Sequence, residues 1–266
     1  MKKTIAFIII SLFTFHFSLF TYSQDLYIGS FYVTTPEEES LYGDGGDKWT
    51  NRMSVICDMV NFEQPDVLGL QSLTTNQFSQ INARTKSSYN AVGNILCNKT
   101  LELLASGDVE DMPEGSTCSW VKVQKEDAAF YVFNICFSTD NTVANTSATR
   151  VRTAAGEINA EKLPCFIVGY LGVSNSKTAY TRLNGKWPDS YTKASSISAE
   201  FGTVNNFDLA ANHGTDRYDF VFASTNVNVK VYGQLQYGYY TKEADGSYKR
   251  RLPSTHFPVM VKATLK

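Results

Sequence analysis

Five stretches of this chain are nearly continuous in apolar or aromatic residues: Leu26–Val33, Val67–Leu70, Ser119–Val123, Ala128–Phe137 and Phe166–Tyr170. A strand without polar alternation has no face to offer water, so these strands are expected to be buried on both faces. The elements that would cover them are also visible. Between Trp49 and Phe62 the apolar residues Met53, Ile56, Cys57 and Val60 form a helical stripe suited to packing on a sheet. Arg150–Asn159 is a short helix candidate, and Tyr237–Tyr248 reads as a hairpin with Asp245-Gly246 at or near its turn.

The 266 residues, 43% hydrophobic and 19% charged, suit one globular domain with a large core, and no internal repeat or low-complexity linker divides them. Met1-Lys2-Lys3 precedes an apolar run from Thr4 to Phe20 and a small-residue site at Thr21-Tyr22-Ser23. That is the pattern of a bacterial signal peptide over 1–23, cut after Ser23, leaving a domain over 24–266 without a membrane span and placing the protein in the periplasm or outside the cell. The alternative reading of the same run is an uncleaved anchor, since its length almost spans a bilayer. No Cys lies near the cleavage point for lipid attachment. The sequons Asn98-Lys99-Thr100 and Asn145-Thr146-Ser147 matter only in a secretory pathway that reads them.

Formal charge is -2, and without Lys2 and Lys3 there are 22 basic to 26 acidic residues. An acidic chain is a poor electrostatic partner for a nucleic-acid backbone. The odd set Cys57, Cys97, Cys118, Cys136 and Cys165 leaves at least one thiol unpaired in a monomer, and without CxxC spacing it does not describe a zinc site. Their apolar settings mark them as small buried hydrophobes.

Six short segments carry the functional argument. They are Ile28-Gly29-Ser30-Phe31-Tyr32, Val67-Leu68-Gly69-Leu70-Gln71-Ser72, Val132-Phe133-Asn134-Ile135-Cys136, Phe166-Ile167-Val168-Gly169-Tyr170-Leu171-Gly172, Arg217-Tyr218-Asp219-Phe220-Val221-Phe222 and Ser254-Thr255-His256-Phe257-Pro258-Val259. In order and spacing they resemble the endonuclease/exonuclease/phosphatase superfamily, the DNase-I-like fold. The likeness extends to Asp47-Lys48-Trp49-Thr50-Asn51-Arg52 and Phe201-Gly202-Thr203-Val204-Asn205. It implies a four-layered α/β sandwich, two mixed sheets face to face with helices outside, and all six segments at one end.

The resemblance also implies Mg²⁺ or Mn²⁺ chemistry on phosphate esters, which needs hard oxygen ligands. At each family position this chain departs. Tyr32 stands for Asn, Ser72 for the metal-binding Glu, and Cys136 for the His that meets the phosphate. Tyr170 and Gly172 stand for the Asp and Asn that orient the attacking water, and Thr255 for the Asp before the last His. Asp219 and His256 survive as a vestigial dyad. The segment Gly93–Ile95 lacks the loop that lines the family's cleft, and Tyr32 and Tyr170 would partly fill the old pocket, a Tyr ring covering about 150–250 Å².

The expected function is therefore an exported, non-catalytic binding protein, without a tight metal site or cofactor, that holds an unidentified ligand or protein in a remodelled cleft. The alternative is a phosphoesterase using Mg²⁺ or Mn²⁺ with relocated ligands: Asp219, His256 and acids from the loop of Glu37-Glu38-Glu39 or Asp44–Asp47. Cys136 with His256 and Asp219 could form a thiol hydrolase, but nothing supplies an oxyanion hole or a stabilised thiolate, so inert leftovers are the simpler reading. Lys249-Arg250-Arg251 could hold an anion but reads first as solvated. Tyr232, Tyr237, Tyr239, Tyr240 and Tyr248 read first as sheet packing.

Overall fold

The computed structural model describes residues 25–198, 201–209 and 214–265; the leader expected over 1–23 and its cleavage after Ser23 lie outside them. The chain runs β1 (Asp25–Tyr32), α1 (Pro36–Tyr42), a 3-10 turn (Gly45–Asp47), α2 (Trp49–Glu63), β2 (Val67–Gln71), α3 (Thr75–Thr85), β3 (Tyr89–Val92), β4 (Ile95–Asn98) and β5 (Glu102–Asp108). Next come β6 (Thr117–Lys125), β7 (Ala128–Cys136), α4 (Asn141–Ile158), β8 (Cys165–Tyr170), α5 (Thr178–Asn184), α6 (Ser190–Lys193) and β9 (Ser196–Ser198). The rest is β10 (Asp219–Ala223), β11 (Val227–Gln234), β12 (Tyr239–Lys242), β13 (Tyr248–Arg251) and β14 (Val259–Leu265).

Two mixed sheets dominate, one ordered β3-β4-β2-β1-β14-β11-β9 and the other β10-β8-β7-β6-β5. Between them lies a core that includes Ile28, Val67, Val132, Val168, Val221 and Val261. Outside the first sheet, Ile56, Met59 and Val60 of α2 and Ile81 of α3 cover Phe31, Leu68 and Leu70. Outside the second, Ala144, Ala148, Val151 and Ala155 of α4 cover Phe133, Ile135 and Phe220. Helix, sheet, sheet, helix is the four-layered α/β sandwich expected from the sequence.

Three local expectations need correction. The helix expected over Arg150–Asn159 is the end of α4, which starts at Asn141 behind an Asp140 cap that accepts from the Thr142 and Val143 amides. Apart from Val151 its buried face is built of Ala and Ser, too small to stand out as an apolar stripe. β6 is not covered on both faces: Val121 and Val123 point into the core while Trp120 and Lys122 are half-buried outside. And Glu37-Glu38-Glu39 is not loop but the first turn of α1, held by a capping box between Thr35 and Glu38 with a Pro at the helix start.

The parallel pairs β1/β2 and β7/β8 bring Tyr32 beside Gln71 and Cys136 beside Tyr170. β10 runs antiparallel to β8 with Asp219 opposite Tyr170, and β14 antiparallel to β1 with Val259 opposite Ser30. The ends of four strands and the starts of two thus meet at one end of the sandwich.

Candidate functional site

A chain of polar groups ties the two sheets together behind this end. Ser30 Oγ donates to Gln71 Oε1 at 3.3 Å, Gln71 Nε2 donates to Asn134 Oδ1 at 2.7 Å, and Asn134 Nδ2 donates to the Leu70 and Asn94 carbonyls. Gly69 makes room for the amide, since a Cβ there would lie 2.5 Å from Asn134 Oδ1. These residues match the family's pattern, and here they hold the strand ends in register.

In front of them the dyad is intact: His256 Nδ1 lies 2.7 Å from Asp219 Oδ2, and both residues are buried. The Asp219 backbone amide donates to Thr203 Oγ1 at 3.2 Å, whereas Asp219 Oδ1 is buried with no hydrogen-bond partner among the described residues. Tyr32 stacks on the His256 ring, centroids 4.0 Å apart and planes 16° from parallel. Tyr170 meets Tyr32 edge-on at 4.7 Å and His256 at 5.4 Å. The three rings pack as one unit.

The hydroxyl of Tyr32 donates to Glu38 Oε1. Glu38 Oε2 accepts from Ser72 Oγ at 2.7 Å, the Thr35 amide at 2.8 Å and Thr35 Oγ1 at 3.2 Å. Of the acids considered from the sequence, Glu38 alone comes to the ends of β1 and β2. Glu39 is tied to Arg52 at 2.7 Å, while Asp44 and Asp47 pair with Arg251 at 2.5 and 3.0 Å. A carboxylate carried by α1 therefore stands at the end of β2, where the resemblance expects one carried by the strand itself. Its signal in the sequence was Thr35-Pro36-Glu37-Glu38, a capping box with a helix-starting Pro.

Arg52 fixes that helix. Fully buried, it donates to the Val33, Thr34, Asp47 and Pro253 carbonyls as well as to Glu39. α1 is thereby clamped between β1 and the segment leading to His256.

The remaining family positions are closed by backbone geometry or burial. Gly172 has φ +76°, and a Cβ there would lie 2.0 Å from the Ser138 carbonyl oxygen, so no larger side chain fits this loop path. Thr255 is buried, its Oγ1 2.6 Å from that of Thr34. Arg217 is drawn off to a buried pair with Asp189 at 2.8 Å and lies over the Tyr191 ring.

Burial pushes the Cys136 thiol up to about 11. Burial also raises Tyr32, helped by its bond to Glu38, and raises Tyr170, helped by the Asp219 charge. All three are held protonated at neutral pH. No hydrogen bond among the described residues joins Cys136 to His256, and all five cysteines are free thiols. The arrangement of a thiol nucleophile is absent from this site.

Beside the rings lies a cleft of about 400 Å³ lined by Thr35, Ser72, Asn94, Asp108, Ser119 and Cys136, among others. None of its lining residues is Lys, Arg or His. Among the described residues no three His, Cys, Asp or Glu side chains converge as metal ligands. Mg²⁺ asks for near-octahedral oxygen ligands. Glu38 is already engaged on both oxygens and Asp219 on one, so the residues present do not fit a tight site for that ion.

No protein-family model matches the sequence, and no curated protein matches it. Solved structures do. An endonuclease/exonuclease/phosphatase family protein from Bacteroides thetaiotaomicron superposes with TM-score 0.83 at 24% identity, covering 92% of this chain and 99% of that one. A mannosyl-6-phosphatase of the same organism superposes with TM-score 0.81 at 25% identity, covering 90% and 99%. Truncated TDP2 of Caenorhabditis elegans does so with TM-score 0.67 at 15% identity, covering 91% and 98%.

Proposed function

We propose that this chain, which has the DNase-I-like fold of the endonuclease/exonuclease/phosphatase superfamily, is an exported binding protein that holds a ligand or partner in its cleft and hydrolyses no phosphate ester. One observation carries this reading: His256 is buried, 7% exposed, with the Tyr32 ring flat on it and Tyr170 against it edge-on, so little of the dyad is open to a phosphate. The absence of a cation from the cleft lining argues the same way, because a phosphate there would meet Asp108, with Glu38 behind Ser72, and no compensating charge. Export rests on the leader pattern.

The test is turnover of a generic phosphodiester and a phosphomonoester with Mg²⁺ or Mn²⁺, beside a His256→Ala control, together with calorimetric titration of both ions. We expect no turnover above the control and no stoichiometric binding in the micromolar range. Either result in the opposite sense overturns the proposal.

A second reading is favoured by Glu38. A carboxylate at Ser72, with Asp219 Oδ1 unpartnered, could serve a metal-dependent phosphoesterase whose ligand has moved from β2 to α1. The neighbouring mannosyl-6-phosphatase makes a phosphorylated sugar the first substrate to try. This reading requires turnover that EDTA abolishes and that both Glu38→Gln and His256→Ala remove.

A further inference from the structure

One wall of the cleft is a face of the second sheet. Across β5, β6 and β7, Asp108 stands opposite Ser119 and Ser119 opposite Asn134, while Thr117 stands opposite Cys136. Residues paired across a ladder, and residues two apart along a strand, share a face. All five line the cleft, with Thr35 and Ser72 from the ends of the first sheet and Asn94 from the turn between β3 and β4.

Much of this lining is already bonded. Gln71 and Asn134 hold each other, and Thr35 and Ser72 donate to Glu38. The side chains left to meet a ligand are Asp108, Thr117, Ser119 and Asn94, for none of which the described residues supply an ion pair or a side-chain hydrogen bond. Asp108 is the one charged residue of the lining, and the Glu38 carboxylate lies behind Ser72. A cleft lined by one sign of charge concentrates the opposite sign within it.

Two features select the occupant. The uncompensated carboxylate favours a cation over a phosphate. The hydroxyls and the amide beside it both donate and accept, so they suit a compact molecule rich in hydroxyls better than the methylenes of an alkylamine, which would leave their bonds unmade. A divalent metal ion is a poorer match, because Asp108 is the one carboxylate it would reach.

We propose that the cleft takes an amino sugar, its ammonium on Asp108 and its hydroxyls on Thr117, Ser119 and Asn94. This rests on the reading of the cleft as a binding site and gives its ligand a chemical class. An uncharged sugar meets the same hydroxyls without the ion pair and binds more weakly.

The experiment is calorimetric titration of the protein with glucosamine, glucose, glucose 6-phosphate and propylamine at about pH 6, where the sugar amine is charged. The variants are Asp108→Asn and Ser119→Ala, their folding checked by circular dichroism. Saturable binding of glucosamine is expected, weakened about fivefold or more by Asp108→Asn and reduced by salt. Glucose should bind more weakly than glucosamine and be indifferent to Asp108→Asn, whereas Ser119→Ala should weaken both sugars. Undetectable glucosamine binding, glucose bound as tightly as glucosamine, or undiminished affinity in Asp108→Asn overturns the proposal. Tighter binding of propylamine overturns it in favour of an aliphatic amine, and tighter binding of glucose 6-phosphate in favour of a phosphorylated ligand. Failure here without phosphate-ester turnover removes the ligand class alone; turnover removes the non-catalytic reading.

Discussion

Tyr32, Ser72 and Glu38 rearrange one small volume between them. The Tyr32 ring covers His256, its hydroxyl reaches Glu38, and Ser72 bonds the same carboxylate. Restoring the family's acid by Ser72→Glu would set two carboxylates against each other, and one would hold its proton to higher pH. The variant is expected to lose on the order of 1–2 kcal/mol at pH 7, about one pKa unit of mutual repulsion. Urea titrations should show the loss shrinking as pH falls towards 5; a loss unchanged across that range would mean the two groups do not face each other. Cys136 offers a second check. With its thiol pushed up from 9.0 to about 11, iodoacetamide at pH 8 should modify it about a hundredfold more slowly than a free cysteine. Alkylation at the rate of an exposed thiol would contradict the burial that sets it. That Tyr32, Ser72, Cys136 and Tyr170 lie at the ends of strands was legible in the sequence, because each closes a recognisable apolar run. That Tyr32 stacks on His256 was not, since 224 positions separate them and only the pairing of β14 with β1 brings them together.

α1 depends on two anchors of different kinds. Its start is set by the Thr35 cap, and Thr35→Ala should cost about 1 kcal/mol. Its seat is set by Arg52, whose loss leaves Glu39 and four buried carbonyls without their donor. Arg52→Met should therefore cost about 3–5 kcal/mol, several times the cap. Denaturant midpoints of the two variants check the order, and equal losses would show that Arg52 does not organise this corner. The element was read as loop because its acids and its exposed Leu41 and Tyr42 have no helical apolar face. The same physics concealed the first half of α4, where Ala and Ser do the packing. α2 and the central strands were legible because bulky residues mark their buried sides.

At the scale of the molecule, burial acts on all five thiols in one direction, Cys118 most of all. Cys57 and Cys136 are pushed up to about 11, Cys97 and Cys165 to about 12, all from 9.0 and chiefly by burial. The unfolded chain thus releases these protons first as pH rises, so it binds fewer than the folded chain and stability falls with pH. Thermal melts in reductant should be level with respect to these groups below pH 9 and decline from about 9 towards 11; a melting temperature that holds to pH 11 would rule this out. The buried central strands and the helix that covers them follow from patterns a single chain displays, continuous apolar runs and one helical stripe, whereas their arrangement as a two-sheet sandwich was expected from the resemblance carried by the six segments. The sequence alone also determined which residue types stand at the six segments, since a Ser or Tyr in place of a carboxylate or amide needs no coordinates to be noticed. What only the tertiary structure decided is where the remaining groups go: Glu38 to the end of β2, Tyr32 across the face of His256, and Tyr240 and Tyr248 outward on the β12–β13 hairpin, exposed and not packed on a sheet as expected. Those placements depend on sheet order and on buried partners far away in the chain, and local sequence carries no record of either.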